Sequence, residues 1–114
     1  MEREVQTGVA WGYLILAGLL EILWATGLKQ SESFSKLWPS IGTVLAMIVS
    51  FVFLSQAMKS LPLGTAYAVW TGIGAVGTAI VGMILFGESR EPVRILCVLA
   101  VVGGILGLKL TSKG

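Results

Sequence analysis

Four apolar runs of close to twenty residues, separated by short charged segments, restrict this 114-residue chain to one kind of fold. Crossing a bilayer takes ~20 apolar residues of helix, and lipid tolerates no backbone whose N–H and C=O groups are left unpaired. The chain therefore reads as an all-α membrane protein with four transmembrane helices, over about residues 9–28, 37–58, 63–86 and 93–110. These spans make up one domain, 9–110, between a polar lead of residues 1–8 and a polar tail of residues 111–114. Only 12% of residues are charged, against roughly 25% in soluble domains. Any activity must then be built from helix faces and short loops. The lead lacks the basic region and small-residue cleavage site of a secretory signal, so the first span is expected to stay in a multi-pass protein of the cell (plasma or inner) membrane.

Composition removes several classes of function. Histidine and aspartate are absent and Cys97 is the one cysteine, which takes away the usual means of metal binding, Ser/His/Asp catalysis and disulfide frameworks. No enzyme activity, cofactor or metal is expected, and Cys97, within the fourth run, reads as a small packed hydrophobe. The net charge of +2 is small and the basic residues sit at span ends, as interfacial anchors rather than a nucleic-acid surface.

Against this background Glu21 is the anomaly, an acid inside the first apolar run. An ionised carboxylate in hydrocarbon costs roughly 2.5 to 3.5 kcal/mol even on insertion scales, so it must face protein or water and usually marks a transport or proton pathway. At 100° per residue, Leu14, Ala17, Gly18, Trp24, Ala25 and Leu28 fall within about 60° of it. Three of these are small, so the face admits a close neighbour or a cavity beside the acid. In the second span Thr43 and Ser50 share a face, and each is expected to bond back to its own helix backbone.

The third span is crowded with Gly64, Gly72, Gly74, Gly77 and Gly82, and it carries Tyr67 and Trp70 on the face of Gly64 and Gly74. Glycine weakens a helix by up to about 1 kcal/mol each, which makes Gly72, Gly74 and Gly77 hinge candidates; the alternative is that they serve helix contact alone. The fourth span has no polar group in its interior. Its stripe of Ala100, Gly103, Gly104 and Gly107 reads as an association surface between subunits.

Four spans put both termini on one side. Arg3, Lys59, Lys109 and Lys113 then share that side and Lys29, Lys36, Arg90 and Arg94 the other, four against four. Orientation is set by an excess of Lys and Arg on the cytoplasmic side, and here neither side has one, so the chain is expected to insert both ways. Two copies can then pair antiparallel, which produces the in-plane two-fold symmetry of alternating-access transporters. Such a dimer brings two copies of Glu21 together with no cation to pair them. Desolvation and like charge both disfavour ionisation of the pair. Protons and a permeant cation then compete for one site, which is the thermodynamic core of antiport. Trp24, Tyr67 and Trp70 supply ring faces and donors for a carboxylate or a cation.

Taken together, Glu21-x-x-Trp24, the run Leu61-Pro62-Leu63-Gly64-Thr65-Ala66-Tyr67-Ala68-Val69-Trp70 and the glycine stripe of the fourth span resemble the small multidrug resistance transporters over nearly the whole chain, about Val9 to Leu110. Within that family, Trp70-Thr71-Gly72-Ile73-Gly74-Ala75-Val76-Gly77 and Lys29-x-Ser31 resemble the guanidinium-exporter branch rather than the quaternary-ammonium pumps. The resemblance implies an antiparallel, dual-topology homodimer of four-helix subunits that exports guanidinium in exchange for protons. It makes Glu21 the shared proton and substrate site, with Trp24, Ser50, Tyr67 and Trp70 in support. Gly18 would pack beside the acid, and Gly103 and Gly107 would lie in the dimer contact. Ser33 departs from the branch, which usually has glycine before Phe34, and residues 1–8 extend beyond its usual start.

Guanidinium carries donors that match a carboxylate in a two-point fork and stays protonated up to a pKa above about 12, so a carrier must move it as a cation. The rival substrates are quaternary ammonium or other lipophilic cations. A membrane scaffold that moves nothing and a channel without pH dependence are the readings from other classes.

Overall fold

A computed structural model describes residues 2–111, with side chains from residue 6 onward. Met1 and, apart from Thr111, the polar tail expected at 111–114 lie outside the described residues. The chain forms four helices, α1 (Glu2–Gln30), α2 (Leu37–Ala57), α3 (Leu63–Leu85) and α4 (Pro92–Thr111). Each is long and apolar enough to cross a membrane. At 29 residues α1 is about 43 Å long, more than the roughly 30 Å hydrocarbon core, so it begins within the polar lead.

Prolines mark the helix starts. Pro62 has extended backbone (φ −58°, ψ 144°) immediately before α3, and Pro92 is the first residue of α4, where a missing N–H leaves no bond unmade. The end of α3 is a left-handed glycine, Gly87 at φ 64°, which lets the N–H groups of Phe86 and Glu88 both reach the Gly82 carbonyl, at 3.1 and 3.0 Å. The α1–α2 connection is less ordinary. Glu32, Ser33 and Phe34 all have positive φ, at 49°, 63° and 66°. Fully buried Ser31 holds this turn: its hydroxyl donates to Leu28 O and accepts the Phe34 N–H, and its carbonyl accepts from the N–H groups of Ser35 and Lys36.

Helix α1 lies at the centre, packed on one side against α2 and on the other against α3, while α4 packs on α3. The subunit is a slab of 47 × 35 × 17 Å, and 17 Å is less than two helix diameters. Such a layer encloses little. Its buried side chains are Leu14, Ala17, Leu54, Ala66, Val69 and Trp70 and their neighbours, with alanines where helices approach most closely. No described residue of α4 is buried, although Lys109 reaches across to lie 5.4 Å from the Trp11 ring centroid.

Candidate functional site

Glu21 lies about two-thirds of the way along α1 on the face turned toward α3, and its carboxylate rests against Gly74. A Cβ at position 74 would collide with the Glu21 carboxyl group, so only glycine leaves room for the acid there. One turn before the acid, Gly18 is filled in the same way from α3. A Cβ there would lie 2.7 Å from the Ile73 side chain. Glu21 Oε1 is buried with no hydrogen-bond partner, and so is the indole Nε1 of Trp24, three residues on along the same face. A buried acceptor and a buried donor left without partners are costly and are expected only where something else completes them.

The other groups of the site are fixed by a cross-helix network. Ser50 of α2 is fully buried and, rather than bonding back to its own helix, donates to the Ala17 carbonyl of α1 at 2.7 Å. Its oxygen in turn accepts the Trp70 indole N–H at 3.0 Å. Three helices are thereby tied at one atom. Thr43, by contrast, donates to Pro39 O of its own helix, as its spacing predicts.

An aromatic tier joins α1, α2 and α3. Phe51 stands between Trp24, at 6.4 Å between ring centroids, and Trp70, at 5.7 Å, and Tyr67 follows Trp70 at 5.6 Å. The structure thus links Trp24, Trp70 and Tyr67 through Phe51 and bonds Ser50 to Trp70, while Glu21 lies on α1 against Gly74 of α3. Tyr67 is 53% exposed. No hydrogen bond joins Glu21 to Trp24, Ser50, Tyr67 or Trp70 within the subunit among the described residues. Phe51 is absent from the sequence reading. In a uniformly apolar span nothing distinguishes it from a lipid-facing residue, and its role follows only from where Trp24 and Trp70 are placed.

Gly72, Gly74 and Gly77 are contact positions in this conformation, receiving Ile105, Glu21 and Ile22, and α3 runs through them as one continuous helix. Gly103 and Gly107 have no atom within reach of a Cβ and lie exposed on α4.

Four membrane-crossing helices, most of their surface left open, and one intramembrane acid facing a glycine define a small multi-pass transport-type membrane protein. A profile of the family described as Small Multidrug Resistance protein matches residues 9–102, and the chain belongs to that family. Its relatives include the guanidinium exporter of Escherichia coli strain K12, 59% identical over 104 residues that make up 91% of this chain and 99% of the relative. The guanidinium exporter of Yersinia pseudotuberculosis is 61% identical over 91% of this chain and all of the relative, and that of Salmonella typhimurium 57% identical over 91% and 99%. The protein is a multi-pass protein of the inner membrane.

Proposed function

We propose that this protein exports guanidinium and small guanidinyl cations in exchange for protons, and that both compete for Glu21. The observation that carries the reading is that Oε1 of Glu21 is buried without a hydrogen-bond partner, as is Nε1 of Trp24 one turn further along the same helix. A planar cation with several N–H donors satisfies a carboxylate in two bonds at once, which a quaternary ammonium ion cannot do. The exporters that this chain resembles at 57–61% identity carry the same substrate in their name.

The working unit is an antiparallel homodimer. The subunit leaves α4 unburied and Tyr67 open, and a second, inverted copy covers them. Balanced Lys and Arg counts on the two sides favour that arrangement over a parallel one. Gly103 and Gly107 supply the close contact, and α3 bends at Gly72 to Gly77 as access alternates. Two Glu21 carboxylates then share one site, where a proton on either removes the charge that holds the cation.

The test is uptake by purified protein in vesicles under an imposed proton gradient, with guanidinium and a bulky quaternary ammonium ion presented separately. Gradient-driven guanidinium uptake that saturates, with little for the bulky ion, is the expected result. Preference for the bulky ion would reassign the substrate, and flux without saturation or pH dependence would make the protein a channel.

A further inference from the structure

Glu88, in the turn between α3 and α4, has the same relation to Gly82 that Glu21 has to Gly74. Its carboxylate occupies the space a Cβ at position 82 would need, and it accepts a 2.7 Å hydrogen bond from Arg94 Nη2. Against Glu88 lies a cavity of about 150 Å³ whose wall includes Ala25, Thr26, Lys29, Thr78, Phe86 and Glu88. Ala25 and Thr78 stand four residues beyond Glu21 and Gly74, so the cavity continues the same pair of helix faces about 6 Å further along.

The polar and aromatic groups of this wall are of kinds that bind cations. Thr26 donates to Ile22 O and Thr78 to Gly74 O, both at 2.8 Å, so each hydroxyl oxygen keeps acceptor capacity. The Phe86 ring carries the Lys29 ammonium 5.1 Å from its centroid, and Glu88 carries the guanidinium of Arg94. Both cation-recognising groups hold a cation that belongs to the chain, and one of those cations is the chemical group of the proposed substrate.

We infer that the Glu88 cavity is a second subsite for guanidinium-class cations, one turn further along the α1–α3 interface from Glu21, and that Arg94 is a tethered stand-in which the travelling cation displaces. The inference rests on guanidinium being the substrate. The Glu88 and Arg94 side chains are 39% and 36% exposed, and a pair as open to water as this exchanges partners at little cost. A free ion must compete with a tethered one whose effective concentration is on the order of millimolar, so the subsite is weak. A pathway needs that weakness, since an ion has to leave each site it enters. Once displaced, Arg94 and Lys29 have stems long enough to carry their charges out to water.

The experiment follows the Arg94 guanidinium by ¹⁵N side-chain resonances of the full chain in bicelles, assigned with Arg94→Lys. Guanidinium chloride is titrated against matched sodium chloride and tetramethylammonium chloride, in the wild type and in Glu21→Gln. The expected result is a saturable Arg94 shift with a millimolar midpoint in both proteins, produced by guanidinium alone and lost in Glu88→Gln. Should Glu21→Gln not fold, the wild type shows the same event as the weaker of two steps. An Arg94 response that is equal for all three salts, or unchanged by Glu88→Gln, overturns the subsite. Failure of the substrate reading shows elsewhere, as absence of guanidinium uptake by wild-type vesicles whatever Arg94 does.

Discussion

Glu21 and Gly74 are in direct contact across the α1–α3 interface, with the carboxylate in the space where any other residue at 74 would place its Cβ. Because the acid is seated on the backbone of α3, a movement of that helix changes the environment of the carboxylate without any intermediary. Glycine at 74 leaves the carboxylate this seat, and a Cβ there would make the side chain of Glu21 swing away. Gly74→Ala is expected to displace Glu21 and weaken guanidinium binding at least tenfold, while the four helices remain. Binding calorimetry and circular dichroism on the same sample check both parts, and unchanged affinity would show that Glu21 does not work from this seat.

Removing the charge tests the site itself. Glu21→Gln keeps the shape of the side chain, so the protein is expected to fold and to lose proton-driven guanidinium uptake. In the wild type, protonation removes the negative charge that a cation needs. Substrate affinity should accordingly fall as pH is lowered, by up to tenfold per pH unit for each proton displaced. Affinity measured across a pH series decides this, and a flat profile contradicts competition for one site.

Ser50 joins three helices, since it donates to Ala17 O and accepts from Trp70 Nε1. Ser50→Ala leaves the buried Trp70 indole N–H without a partner and removes the tie to the Ala17 carbonyl, at an expected cost of about 1–2 kcal/mol. Ser50→Thr keeps the hydroxyl and should recover part of the loss. Reversible unfolding in mixed micelles reads both. Equal stability of Ala and wild type would mean that the junction is replaced by water.

The four helices were legible in the chain because a bilayer accepts so few solutions for apolar runs of this length. Periodicity also turned Leu14, Ala17 and Gly18 toward the interior with Glu21. It could not say what each face meets. Ser50 reads as a self-bonded hydroxyl until Ala17 and Trp70 are brought to it, and Gly74 reads as a bend until the register of α1 against α3 puts Glu21 on it. Glu88 reads only as part of a charged turn and Arg94 as a basic residue at the start of the fourth span. Their pairing depends on the left-handed Gly87, which folds the turn back over Gly82.

Ser33 shows how a local departure from a family pattern acquires a physical meaning. It stands at φ 63°, between Glu32 and Phe34 that are also left-handed, a conformation costing an L-residue other than glycine roughly 1–2 kcal/mol. Glycine at this position would avoid that cost. Ser33→Gly is expected to stabilise the fold by about 0.5–1 kcal/mol, less than the full relief because glycine also loosens the unfolded chain. Ser33→Val should destabilise by about 1–2 kcal/mol. Thermal unfolding in detergent measures the pair, and the opposite order would mean that the turn does not keep this conformation.

The open stripe on α4 provides the test of assembly. Gly103 and Gly107 have nothing within 4 Å of a would-be Cβ, and no described residue of α4 is buried, so the subunit itself makes no use of their smallness. In lipid, helices gain little by hiding apolar surface and associate through close backbone approach, which small residues four apart permit. Gly103→Leu with Gly107→Leu should then leave each subunit folded while shifting the proposed dimer to monomer by tenfold or more, and transport should fall in proportion, because the proposed site loses its second Glu21. Sedimentation equilibrium in detergent gives the first quantity and vesicle uptake the second. A variant that stays dimeric would move the subunit contact off α4, and one that is monomeric yet fully active would remove the need for a second Glu21.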